Sequence, residues 1–319
     1  MNKELVSLVV PCYNVSEFIE NCIDSIKNQT YKNIEVLMID DGSKDNTGKI
    51  IKEIIKDDNR FKYYKKKNGG LSDARNYGLK YIKGKYVCFI DSDDWIDKNY
   101  VKRLYEEIEK GKYDVVICNY ISKYVDKEEC SNITKFHIDN FILPNAWNKI
   151  YKREIFDDLQ FPVGKWYEDL GTFPIIKMKY TKYKIIKDCL YYYRQNSNSI
   201  MNTIDERIYD IYYDIDRIES FAKENGYYQK YYDNLVMMNI YHVLIGTIYR
   251  KSSAKDFKIK DIKNIKKYVT KKYPKWYKSK GRKNFSKGYN LYLFFLNYNL
   301  NIVVYLFLII LRNRKLKKW

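Results

Sequence analysis

Tyr86-Val87-Cys88-Phe89-Ile90-Asp91-Ser92-Asp93-Asp94 is a run of five apolar residues that ends in three carboxylates within four positions. The unbroken apolar run reads as a strand covered on both faces, the kind found in parallel sheets. Three carboxylates at its C-terminal end repel one another unless a cation stands between them. A hard divalent ion, Mg²⁺ or Mn²⁺, is the usual partner, and such an ion commonly also holds a diphosphate. The structural alternative is an acidic turn that caps a helix beginning near Asp97.

Outward from this stretch, short apolar runs alternate with helical spacing. Residues 5–10 form an apolar run closed by Pro11, and Phe18, Ile19, Cys22, Ile23 and Ile26 then recur at helical intervals, with Ser16 as the expected N-cap. Residues 34–39 predict a second strand, followed by Asp40-Asp41-Gly42-Ser43 and a helix through Ile50, Ile51, Ile54 and Ile55. A short strand at 61–64 precedes a helix over 71–82, opened by Gly69-Gly70 and closed by Gly84. A helix around 101–108 and a strand at 115–118 continue the pattern. Repeated β-α-β units predict an α/β fold with a mostly parallel central sheet and right-handed crossovers. Ligands of such sheets bind beyond the C-terminal strand ends, so Asn14, Asp41 and the acids at 91, 93 and 94 are expected to converge on one crevice.

Residues 131–199 are less regular, and from residue 204 the pattern turns helical. The expected organisation is a catalytic domain over 1–203 and a helical region over 204–319, whose tail begins at about 285. That tail is strongly apolar over 291–311 but interrupted by Asn297, Asn299 and Asn301. The clean portion, 302–311, falls short of the roughly 20 apolar residues that span a bilayer. Arg282, Lys283 and Lys287 precede it, and Arg312, Arg314, Lys315, Lys317 and Lys318 follow. An interfacial helix with basic anchors fits this pattern; a core helix with a solvated basic end and a true span are the other readings.

The net charge of +19 points to an anionic partner. Nucleic acid is disfavoured, because no zinc-finger, RNP-like or basic-zipper pattern is present. With only His137 and His242, a His-rich zinc site is excluded. The six cysteines are scattered without a C-x-x-C pair, several inside apolar runs where Cys acts as a small hydrophobe. Met1-Asn2-Lys3-Glu4 leads straight into the first strand pattern without a signal-peptide core, so a reducing cytoplasmic setting is expected.

Five segments occur in order at strand or helix ends: Val10-Pro11-Cys12-Tyr13-Asn14, Asp40-Asp41-Gly42-Ser43, Asn68-Gly69-Gly70-Leu71-Ser72-Asp73-Ala74-Arg75-Asn76, Asp91-Ser92-Asp93-Asp94 and Trp166-Tyr167-Glu168-Asp169. Together they resemble family 2 glycosyltransferases with a GT-A fold, of the type that builds bacterial surface polysaccharides. The resemblance covers roughly the first 200 residues. Asn145-Ala146-Trp147-Asn148-Lys149-Ile150-Tyr151 and Tyr191-Tyr192-Tyr193-Arg194 also resemble segments of polysaccharide-building members.

The resemblance implies transfer of a hexosyl or N-acetylhexosaminyl group from a nucleotide-diphospho-sugar, a UDP-sugar in this reading, to a glycan hydroxyl with inversion. It places Pro11, Tyr13, Asn14, Asp41, Arg75 and Asp91 on the nucleotide, with Asp41 accepting from the uracil ring and Asp91 near the ribose. Asp93 would ligate Mn²⁺ or Mg²⁺, Asp169 would be the general base, and Trp147 and Glu168 would meet the acceptor. The chemistry asks for the same parts: a reader for the base, a cation for the departing diphosphate and a base for the attacking hydroxyl. Each residue also has a structural reading. Asp41 can be a turn residue before Gly42, Arg75 a structural salt bridge, Asp94 a cap for the next helix, Glu168 and Asp169 acids at a helix start, and Trp147 or Trp166 a buried ring.

A Gln-x-x-Arg-Trp segment and multiple membrane spans are absent, which implies one sugar per binding event. By the resemblance the acceptor is a lipid-linked oligosaccharide of a capsule or exopolysaccharide, and the enzyme sits on the inner, anionic face of the membrane. A nucleotidyltransferase or a dinucleotide oxidoreductase would show a Gly-rich loop after the first strand, where Val10-Pro11-Cys12-Tyr13-Asn14 stands. A glycoside hydrolase would not need acids at successive strand ends, and an inactive adaptor of the same fold would not need Asp41, Asp93 and Asp169 together.

Overall fold

The first two apolar runs become strands buried along their whole length, β1 (Val6–Cys12) and β2 (Ile34–Asp40). They pair in parallel, with Cys12 opposite Asp40, so their C-terminal ends finish side by side. Helix α1 (Ile19–Lys27) joins them, and α2 (Thr47–Ile55) leads to β3 (Phe61–Lys65), parallel to β2. Helix α3 (Leu71–Leu79) then leads to β4 (Tyr86–Phe89), which pairs in parallel with the other side of β1. The computed structural model describes residues 3–195 and 203–316.

The chain continues through β5 (Trp95–Ile96), α4 (Tyr100–Gly111), β6 (Val115–Lys123), β7 (Glu128–Cys130), α5 (Lys135–Asp139), β8 (Lys149–Lys152), α6 (Glu168–Lys179) and β9 (Tyr183–Arg194). The described strands form one nine-stranded sheet in the order β3-β2-β1-β4-β8-β6-β9-β5, with β7 on β6. The β3-β2-β1-β4 half is parallel throughout. Antiparallel β8 then joins β4 to β6. Because β2, β1 and β4 are parallel neighbours, the loops after each open on the same edge of the sheet. The mostly parallel α/β sheet expected from the alternation is what forms.

Local details depart from the sequence reading. Helix α1 starts at Ile19 without a side-chain cap, and the Ser16 backbone N–H instead donates to Asp45 Oδ2 at 3.1 Å. Asp94 does not cap the next helix; it is buried against β9. The cysteine spacing gave no reason to expect a pair, yet Cys130 and Cys189 form a disulfide. β7 and β9 both pair with β6, and this brings the two Cα atoms to 6.3 Å. The other four cysteines are buried and free, as small apolar side chains would be.

Two compact units emerge: Met1–Lys135 with Pro144–Ser197, and Phe136–Leu143 with Asn198–Trp319. The second therefore starts a few residues before 204 and also takes in a segment from the middle of the chain. It contains α7 (Asp210–Glu224), α8 (Tyr232–Met238), a π-helical stretch (Asn239–Thr247), α9 (Ile248–Lys251), α10 (Ile259–Lys272), α11 (Lys287–Asn297) and α12 (Asn301–Leu316). The apolar tail is thus two helices, separated where Asn299 takes a left-handed conformation (φ 60°). One side of the pair is buried through Tyr292, Leu293, Leu296, Val304 and Leu308, while Leu291, Ile302, Leu306 and Ile310 are each more than half exposed. No described helix is long and apolar enough to cross a membrane. Lys317 and Lys318 lie outside the described residues.

Candidate active site

The loops after β1 and β2 are fastened to each other. Pro11 and Cys12 are buried at the end of β1, and Tyr13 is exposed beyond them. Asn14 is left-handed (φ 50°), a conformation its short polar side chain tolerates better than most. Its N–H donates to Ser43 Oγ at 3.1 Å, and its Oδ1 accepts from the Lys44 N–H at 2.9 Å. Asp41 follows β2 and is buried. Its carboxylate accepts from the N–H groups of Gly70 (2.7 Å) and Gly69 (3.0 Å) and from Asn68 Nδ2 (3.1 Å). It is also paired with Lys66, which bridges to Asp73 at 2.5 Å. Asp41 here anchors the turn that opens α3, a structural role different from the expected turn residue before Gly42. Gly42 is obligatory beside it: φ is +78°, and a Cβ would lie 3.0 Å from Asn68 N and 3.1 Å from Lys66 O.

The acids after β4 separate into three environments. Asp91 Oδ1 meets Arg75 Nη2 at 2.8 Å. Asp94 is buried and accepts from the Tyr191 hydroxyl (2.8 Å) and from the Arg194 N–H (2.7 Å). Burial, with Asp93 and Asp91 nearby, raises its pKa well above the carboxylate range. Asp93 takes no side-chain partner among the described residues. Burial and the Asp91 charge push it up to about 6, against the pull of Arg194. A half-buried carboxylate left uncompensated beside other acids suits a divalent cation, but no three His, Cys, Asp or Glu side chains among the described residues are grouped to hold one. Asp93 is the residue here that could hold such a cation.

The resemblance implies that Arg75 is a nucleotide contact. The structure places it beneath the crevice, 1% exposed, on three carboxylates. Nη2 binds Asp91, and Nη1 binds both Asp169 Oδ1 (2.6 Å) and Glu168 Oε1 (2.9 Å) from the start of α6. Burial alone would weaken its charge, but the three acids hold its pKa above the ordinary arginine value. Burial and the Asp169 charge push Glu168 up to about 7, with Arg75 opposing. Asp169 Oδ2 accepts from the Ala146 N–H at 2.9 Å. Each carboxylate oxygen carries two lone pairs, so both oxygens of Asp169 are oriented and neither is exhausted.

Trp147 was read as an acceptor platform, and the structure corrects this. It is 6% exposed, stacked on Tyr191 (4.4 Å) and Tyr193 (5.3 Å) with Tyr120 edge-on (5.0 Å), so it presents no open face to a sugar. Its apolar area is used in the core. Trp166 is half-buried. The sequence by itself assigns no role to Tyr191, whose hydroxyl oxygen also accepts from the Asp91 N–H at 3.1 Å, nor to Ala146 or Lys149. All three lie in segments noted for their resemblance, which was the available signal.

The model for "Glycosyl transferase family 2" matches residues 7–166. That is half of the chain, and a second similarity extends it: glycosyltransferase GlyG of Streptococcus pneumoniae is 34% identical over 69% of this chain and 79% of its own length. The chain belongs to glycosyl transferase family 2. Glycosyltransferase GlyA of the same organism is 36% identical over 63% of this chain, but the chain spans only 32% of its length. In fold the chain is similar to S. aureus TarS 1–349, solved in complex with UDP-GlcNAc, with a TM-score of 0.73, 18% identity and coverage of 95% of this chain and 89% of that one. The GT-A architecture expected from the motifs is therefore present, and the protein is a glycosyltransferase. The nucleotidyltransferase and dinucleotide readings fall away.

Replacing Arg75 with Met leaves three carboxylates facing one another without a cation. The expected loss is about 3–5 kcal/mol of unfolding free energy by urea denaturation. An unchanged urea midpoint would mean that Arg75 is not a structural centre.

Proposed function

We propose that this glycosyltransferase moves one sugar per encounter from a UDP-sugar to a hydroxyl of a glycan acceptor, with inversion and with Asp169 as general base. The observation that carries this reading is the placement of Asp169. It lies in one ion cluster with Asp91, two residues from Asp93, and is oriented on both oxygens by Arg75 and Ala146. Two proteins of similar fold lend support: TarS has been solved in complex with UDP-GlcNAc, and Pyrobaculum calidifontis PcManGT in complex with GDP-Man and Mn²⁺.

In the step, the acceptor oxygen attacks the anomeric carbon as its proton passes to Asp169. The bond from that carbon to the phosphate oxygen breaks, and its electron pair leaves with the diphosphate. A single displacement inverts the anomeric centre. Pro11, Tyr13, Asn14 and Asp41 line the strand ends where the nucleotide would sit, and Asp91 is poised for the ribose. Mn²⁺ or Mg²⁺ on Asp93 would neutralise charge that develops on the departing diphosphate. Glu168, held beside the base, would orient the acceptor.

The acceptor in this reading is a lipid-linked oligosaccharide of a surface glycan, a class consistent with relatives such as the Bacillus subtilis minor teichoic acid biosynthesis protein GgaB. The exposed apolar side of α11 and α12, bordered by exposed Lys283 and Lys287 in a chain of charge +19, would lie on the anionic cytoplasmic membrane surface.

Three measurements check these points. Asp169→Asn should lower transfer by about a thousandfold, within the general-base range of about 10²–10⁴, while UDP affinity by calorimetry stays near wild type. Wild-type turnover in that variant removes Asp169 from the mechanism. Asp93→Ala should abolish the Mn²⁺-dependent part of UDP binding, and metal-independent binding in both proteins would sink the metal assignment. Full-length protein should float with phosphatidylglycerol vesicles at low salt and be released as salt rises, whereas a chain ending at Ser286 should stay behind. Equal flotation of both removes the tail from membrane docking.

A further inference from the structure

Lys149 opens β8 and is 1% exposed, which is rare for a lysine. Its ammonium donates to the Asn145 carbonyl and to Asn148 Oδ1 (2.8 Å), and it lies 4.7 Å from the centre of the Phe173 ring. The Asn145 carbonyl and the Ala146 N–H belong to one peptide group. Its oxygen faces the Lys149 cation, and its N–H faces Asp169 Oδ2 at 2.9 Å. The following carbonyl, that of Ala146, accepts from the Tyr151 hydroxyl at 3.2 Å, which further restrains the segment.

We infer that Lys149 is a positioning residue for the general base: acting through the Asn145–Ala146 peptide, its buried cation orients Asp169 and holds it ionised. The inference rests on the reading of Asp169 as base. The physical reason is polarisation. A cation on a peptide oxygen draws density away from the N–H, and at low dielectric the strengthened N–H donates more firmly to the carboxylate. A hydrogen bond and a positive charge both favour the ionised form of a carboxylate.

The groups that bear on Asp169 are Arg75 on α3, Asp91 after β4, Glu168 on its own helix, and Lys149 and Tyr151 on β8. Lys149 itself faces Asp169 and Cys118 of β6. Burial draws the Lys149 pKa down to about 7, with Asp169 opposing. The cation is therefore in place over the acid range where a carboxylate base titrates. Arg75 is shared among three acids, whereas the peptide held by Lys149 serves Asp169.

The test is the pH profile of kcat/KM for UDP release, on the donor that the wild type turns over, with UDP affinity as the check on folding. Lys149→Gln and Lys149→Met should move the acid limb upward by about one pH unit and lower kcat about tenfold, with KM for the donor and UDP affinity unchanged. Lys149→Arg, which keeps the cation, should leave the limb at its wild-type position. A merely structural lysine would not move the limb. Wild-type profiles in the Gln and Met variants overturn the inference while the reading of Asp169 stands. A limb shifted as far in the Arg variant as in Gln also overturns it. Should Met fail to bind UDP, the comparison of Gln with Arg decides. A wild type that turns over no nucleotide sugar ends both readings together.

Discussion

A guanidinium buried to 1% exposure is stable only where anions surround it, and those anions are stable there only because of the guanidinium. Arg75 is in that position. It comes from α3, whose first residue follows a turn anchored by Asp41, and it joins Asp91 after β4 to Glu168 and Asp169 at the head of α6. Three stretches far apart in the chain are thereby tied at one point. Removing the cation would leave several negative charges in a half-buried space, so the cluster either forms whole or not at all.

The cluster also distributes charge. One cation faces three acids, so negative charge is left in surplus, and burial with the Asp169 charge pushes Glu168 up to about 7. Asp169 keeps its place through a second donor, the Ala146 N–H. On the other side, Asp94 is withdrawn from the crevice by Tyr191 and the Arg194 backbone. Asp93 is what remains: an acid at the crevice with no side-chain partner among the described residues. One crowded acidic stretch thus yields an acid paired with Arg75, an acid buried against β9 and an acid without a side-chain partner among the described residues.

Much of this was legible in the chain. Unbroken apolar runs bounded by helical spacing require strands covered on both faces, and parallel neighbours must place the loops after β1, β2 and β4 on one edge. Asn14, Asp41 and Asp91 therefore had to come together. The C-terminal limits were less legible. The segment Phe136–Leu143 belongs to the helical unit, and no composition shift marks that excursion. The disulfide between Cys130 and Cys189 depends on two strands pairing with a third, which spacing cannot reveal.

By itself the sequence determined the α/β class and which acids stand at strand ends, because local apolar periodicity and strand direction decide these, while the family was carried by the resemblance of five short segments. Only the tertiary structure decided which partner each acid takes. Whether Arg75 meets a phosphate or three carboxylates, whether Trp147 offers a ring or buries it, and whether Asp94 caps a helix or binds Tyr191 depend on residues dozens of positions away. Burial and Coulomb interaction fall off with distance through space, and distance along the chain carries little of that information.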